Sequence, residues 1–152
     1  MLISLLVTKC FPCLLYGVEA CPLLVRNKSS FDFLLTRTFM KLFRTGSPVV
    51  VKQCQLQFNV LPLHFQLDIR TAKFLEDFVS STNSICALFK HRATLQLHNL
   101  CAVYGDHIKS SRDILITSNE LFAKSVLLAW TLLTNCSFFT FCYFFEAVFL
   151  TK

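Results

Sequence analysis

The stretch Ser29-Ser-Phe-Asp-Phe-Leu-Leu-Thr-Arg-Thr-Phe-Met-Lys-Leu-Phe-Arg-Thr-Gly46 decides how the rest of the chain is read. Phe31, Leu34, Leu35, Phe39, Met40, Leu42 and Phe43 recur at the spacing of one helix face, and no strand alternates in that way. Ser29 and Ser30 supply a cap at the front and Gly46 one at the back. Arg37, Lys41 and Arg44 stand at i, i+4 and i+7, which lines three cations along one stripe of the same helix. Such a stripe suits contact with phosphates; a solvated face opposite a core face is the bland alternative.

Working forward, Ser47-Pro48 reads as the cap and first residue of a short helix through Val50, Cys54 and Leu56. Pro62 opens a longer helix with Leu63, Leu67, Phe74, Leu75, Phe78 and Val79 as buried positions and Arg70, Lys73 and Asp77 as polar ones. Ser80 to Asn83 ends it. Ile85, Leu88 and Phe89 form a short apolar helix. Leu95, Leu97, Leu100 and Tyr104 form another, whose period is ambiguous because Thr94-Leu-Gln-Leu-His98 also alternates like a strand. Gly105-Asp106 is a turn, and from Ser110-Ser111 a capped helix runs through Ile114, Leu115, Leu121 and Phe122. Three Gly and four Pro in 152 residues argue against an all-β sandwich or barrel with a turn every ~8–12 residues. The fold class is mostly α: a short helical bundle followed by a hydrophobic C-terminal helix.

That last helix is the candidate membrane span. Residues 125–145 carry no charge, and their helical length matches the ~20 residues that cross a bilayer core. Lys124 stands before the segment, Glu146 and Lys152 behind it, and Trp130 and Tyr143 lie just inside its ends. Asn135, Thr131, Thr134, Ser137 and Thr140 weaken insertion or serve interhelical contacts. A buried or aggregating tail is the alternative. If the segment inserts, Lys109, Arg112 and Lys124 place the N-terminal bulk in the cytosol.

Charge divides the chain in the same way. Residues 1–25 hold only Lys9 and Glu19, and residues 125–152 only Glu146 and Lys152, so the net charge of +6 resides in 26–124. The chain is 16% charged overall, against roughly 25% in soluble domains, and is too hydrophobic for disorder. Four regions result: an apolar start at 1–25 that reads as the truncated end of a larger domain, a basic helical region at 26–124, the candidate span at 125–145, and a tail at 146–152.

The eight cysteines read as reduced thiols of a protein that is not secreted. The start Met1-Leu-Ile-Ser-Leu-Leu-Val7 lacks a basic region before it, and Lys9 interrupts the apolar run. Cys10-Phe-Pro-Cys13 has no second pair at zinc-ribbon distance. His91, His98 and His107, with Cys86 and Cys101 nearby, match no compact ligand spacing and read as surface or half-buried groups. No metal and no cofactor is expected.

Several blocks resemble a known family. Leu14-Leu-Tyr-Gly-Val-Glu-Ala-Cys-Pro-Leu23, then Ser30-Phe-Asp-Phe33 and Arg37-Thr-Phe-Met-Lys-Leu-Phe-Arg-Thr45, are similar, in that order, to the segment after the polymerase palm in LINE-type non-LTR retrotransposon reverse transcriptases. Val51-Lys-Gln-Cys-Gln55, Phe58-Asn59, Arg70-Thr-Ala-Lys-Phe-Leu75 and Asn83-Ser-Ile-Cys-Ala-Leu-Phe89 resemble the tail of the same proteins. The similarity covers roughly residues 8–124. It implies a thumb and C-terminal extension that hold a template-primer duplex by its backbone, a role for Arg37, Lys41 and Arg44.

Catalysis is not implied. Nucleotidyl transfer in that family needs palm aspartates, two of them adjacent, to bridge two metal ions. Asp32, Asp68, Asp77, Asp106 and Asp113 are isolated from one another. The resemblance stops near Glu120-Leu-Phe122, so the apolar tail also fits T-rich non-coding sequence read in frame. Two functions follow as expectations: a non-catalytic remnant of a retrotransposon polymerase with weak backbone contact to nucleic acid, or a small tail-anchored membrane protein with a basic cytosolic region facing anionic lipid or a partner protein.

Overall fold

Prolines and polar caps divide the chain into helices, as the computed structural model shows for residues 2–21 and 23–134. The N-terminal stretch coils through α1 (Leu2–Leu5), a π-helical turn (Leu6–Cys10) and α2 (Phe11–Leu14), then a 3₁₀ turn (Val18–Ala20). Four longer helices follow: α3 (Val25–Phe43), α4 (Pro48–Gln57), α5 (Leu63–Ser80) and α6 (Ser84–Tyr104). α7 (Ser111–Thr134) is last. No strand occurs among the described residues, and the alternating Thr94–His98 segment lies inside α6.

Three apolar clusters hold these helices together. The largest brings Phe11 and Leu15 from the N-terminal coil against Leu35 and Phe39 of α3, Val51 and Cys54 of α4, and Leu63 and Leu67 of α5. The apolar start is therefore part of the same core as the basic helix. A second cluster joins Ala72 of α5, Cys101 of α6 and Ile114 of α7 through Ile108. The third seats Phe122 and Val126 of α7 on Leu61 at the α4–α5 turn.

Several expected boundaries move. α3 begins after Leu24, so Ser29 and Ser30 do not cap it; their hydroxyls donate to the carbonyls of Val25 and Arg26, one turn back. Serine in a helix interior satisfies itself in this way and does not stop the helix. The end of α3 is not set by Gly46. Arg44 takes the left-handed conformation at φ 51°, and Thr45 N–H donates to the Met40 carbonyl at 3.0 Å. Asn59 repeats the device after α4 at φ 53°, with Val60 N–H on the Gln55 carbonyl. Ser47 and Pro48 do start α4, and Pro62 precedes α5. The two short helices expected between residues 85 and 104 are one, capped by Asn83 Oδ1 accepting from Ile85 N–H.

Burial departs from periodicity on two helices. Phe74 is exposed on α5, and α6 turns Ile85, Leu88, Phe89, Leu95 and Val103 outward, with Leu88 80% exposed. α6 joins the second cluster instead through Leu97, Leu100, Cys101 and Tyr104.

Among the described residues no helix is long and apolar enough to cross a membrane. α7 carries Arg112, Asp113, Glu120 and Lys124 before its uncharged part begins at Ser125. Of the candidate span, 125–134 continues α7, while 135–145 lies outside the described residues.

Candidate nucleic-acid interface

The exposed face of α3 is built by subtraction. Leu35 and Phe39 point into the core, which leaves the opposite side of a 19-residue helix in water. Two charged residues of α3 turn sideways: Lys28 to Asp68 of α5, at 2.5 Å, and Asp32 to His64, whose Nδ1 lies 2.5 Å from Asp32 Oδ2. Asp32 is the only acidic residue of α3. Once it is engaged, the outer face holds cations without carboxylates.

Arg37 and Lys41 both lie on that face and are exposed. Neither forms an ion pair with any described residue. The guanidinium of Arg37 sits 5.7 Å from the centroid of Phe33, itself 65% exposed, a geometry that holds the cation by its attraction to the ring face. Arg44 is also exposed but departs from the expected stripe. Its left-handed backbone takes it off the helical repeat, so the i, i+4, i+7 alignment ends at Lys41. Arg26 replaces it at the other end. Eleven residues separate Arg26 from Arg37, three helical turns, so Arg26, Phe33, Arg37 and Lys41 follow one line about 22 Å long. That spacing was readable, but a helix start at Ser29 places Arg26 outside it.

The remaining polar residues form joints between helices. Asp68 accepts from Lys28 Nζ through Oδ1 and from the Tyr104 hydroxyl through Oδ2, the latter at 2.7 Å. Burial, first, and the hydrogen bond to Asp68 hold the Tyr104 phenol well above its usual range. Ser118, fully buried on α7, lies close enough to favour the phenolate slightly, yet its hydroxyl reaches no hydrogen-bond partner among the described residues. Asp32 caps α5 as well as holding His64, because its Oδ1 accepts from His64 N–H at 3.1 Å. Glu76 of α5 accepts from both the N–H and the hydroxyl of Ser111, at 2.6 and 2.7 Å. Asp113 accepts from the backbone N–H groups of Lys109 and Ser110, and these bonds, the one from Lys109 foremost, hold its carboxyl below the usual range.

These bonds locate the aspartates. Asp32, Asp68 and Asp113 each have a structural task, and Asp77 and Asp106 are exposed at separate places. No group of three His, Cys, Asp or Glu residues able to hold a metal ion occurs among the described residues. His91, His98 and His107 are exposed. Cys10, Cys13 and Cys21 are exposed free thiols, and Cys54 and Cys101 are buried ones whose ionisation burial disfavours. Sequence reasoning left out Lys28 and did not join Asp68 to Tyr104. The signal for Asp68 was its place on one face with Ala72 and Leu75.

No family model, curated protein or solved structure matches the chain.

Proposed function

We propose that this chain is a non-catalytic helical module that contacts a nucleic-acid backbone through the outer face of α3, a remnant of the segment after the palm in a LINE-type reverse transcriptase. The observation that carries the reading is the acid-free line of Arg26, Arg37 and Lys41, with Phe33 beneath Arg37. Cations so placed neutralise phosphates and release counterions, which gives affinity with little sequence preference. The parentage rests on the sequence blocks at 14–23, 30–33 and 37–45. With no adjacent aspartates, the chain is expected to extend no primer in magnesium or manganese.

The test is the salt dependence of duplex binding by the full chain, read by fluorescence anisotropy. Changing Arg26, Arg37 and Lys41 to Gln should flatten the slope of log affinity against log salt by about 2–3 units. A control triple at Lys73, Lys90 and Arg92, also exposed, removes the same charge elsewhere. Equal losses in both triples mean that net charge alone drives association and that the α3 face is only solvated.

One observation favours a second reading, a tail-anchored membrane protein. α7 enters the uncharged segment without a break and leaves Leu127 and Leu128 exposed there.

A further inference from the structure

Helix α6 has two apolar sides. Leu97, Leu100, Cys101 and Tyr104 hold one of them to the second cluster. Ile85, Leu88, Phe89, Leu95 and Val103 are each more than half exposed on the other. These five stand at i, i+3, i+4, i+10 and i+18, which is one side of a helix over about 27 Å. Single exposed apolar residues need no explanation, but an aligned set along one element marks an interaction surface.

Charge selects what covers that side. Between Ser84 and Tyr104 there is no Asp or Glu. Arg92 falls within the exposed stripe, at i+7 from Ile85, and Lys90 is exposed on the same helix. Gln96 and Asn99, the other polar members of the stripe, add no charge. A phosphate backbone would engage Arg92 and leave five apolar side chains in water. A second copy related by a twofold axis would set an acid-free face against itself, with no carboxylate for Arg92 to meet. An anionic bilayer surface supplies both needs: headgroup phosphates for the guanidinium, and an acyl boundary that takes an apolar helix side to a depth of about 5–10 Å. The Arg92 stem can lie along that apolar surface while its head stays among the headgroups.

We propose that α6 docks by this side on an anionic lipid surface, lying in the plane of the interface while its opposite side stays in the bundle. The net charge of +6 draws the chain to such a surface. The contact goes beyond both functional readings, for it uses no residue of the α3 line and does not need residues 125–145 to insert.

The experiment uses the full chain with Trp130→Phe, which removes its one tryptophan, and Leu88→Trp, which reports from the α6 side. Phosphatidylcholine vesicles carrying about 30% phosphatidylserine should move the emission to the blue and saturate it, and pure phosphatidylcholine should bind about tenfold more weakly. Adding Arg92→Gln should weaken binding to the anionic vesicles about fivefold. Adding Ile85→Gln and Phe89→Gln should weaken it about tenfold or more. Both changes should leave the melting temperature in place, because the side chains are exposed. Leu34→Trp in place of Leu88→Trp puts the reporter on the exposed side of α3 and should show no shift. Changing Arg26, Arg37 and Lys41 to Gln should keep the α6 shift, so that loss of duplex binding and loss of lipid binding are read separately. Four results overturn the proposal: no blue shift with anionic vesicles, equal affinity for neutral ones, an equal shift at Leu34→Trp, or a shift that grows with chain concentration in the absence of lipid and so assigns the α6 side to a second copy.

Discussion

Asp68 is where three helices meet through one side chain. Its carboxylate is 13% exposed and holds Lys28 of α3 and Tyr104 of α6. Replacing it with Ala strands both donors, so Asp68→Ala should cost about 2 kcal/mol, less than a fully buried pair because Lys28 is 31% exposed. Tyr104→Phe should cost about 1 kcal/mol. The double variant should lose less than the sum by at least ~0.5 kcal/mol, read from urea midpoints. Full additivity would mean that Tyr104 and Asp68 do not act together. The raised phenol of Tyr104 also sets a pH dependence. The folded state keeps its proton where the unfolded chain gives it up, so this contribution is complete below about pH 10 and declines as the pH rises further. Tyr104→Phe should remove that alkaline decline, and parallel curves for the two proteins between pH 9 and 11 would assign it to another group.

At the scale of elements, the start of α7 is doubly held. Ser110 and Asp113 cap it reciprocally: the Ser110 hydroxyl accepts from Asp113 N–H at 3.3 Å, and Asp113 Oδ2 from Ser110 N–H at 3.1 Å. Glu76 then ties the same turn to α5 through Ser111. A carboxylate there also faces the positive end of the helix. Glu76→Ala should destabilise by about 1–2 kcal/mol and raise amide exchange first in the opening turn of α7. Unchanged exchange at residues 111–115 would show that the capping box suffices alone. This start was readable in the sequence, as were those at Pro48 and Pro62, because a capping serine or a proline has a local meaning. Ser29, Ser30 and Gly46 misled for the opposite reason. Serine is also accommodated inside a helix, and the left-handed end went to Arg44, a choice no local pattern marks. Helix α6 was misread as two because the outward residues Ile85, Leu88 and Phe89 imitate a buried stripe. Of the α3 site, Arg37 and Lys41 were legible from spacing. The engagement of Asp32 away from that face was not, since its partner His64 lies 32 residues away.

For the whole molecule, the contrast between a charged middle and uncharged residues 125–145 decides what the chain can meet. A reporter fused to residues 105–152, with glycosylation acceptors at both ends, should insert with the C-terminus lumenal, because Lys109, Arg112 and Lys124 precede the segment and only Lys152 follows it. Leu132→Arg should abolish insertion, since a central charge costs about 2.5–3.5 kcal/mol on the insertion scale. Recovery of the fusion in carbonate extracts would refute the span and leave the α3 reading untouched. The Asp68 junction has a consequence of another kind. It ties residues 40 and 36 positions apart in the chain, so the entropy of two long loops is spent before it rewards folding. Contacts within and between neighbouring helices form ahead of it. The junction should therefore act as a kinetic latch: stopped-flow traces of Asp68→Ala should show faster unfolding and a nearly unchanged refolding rate.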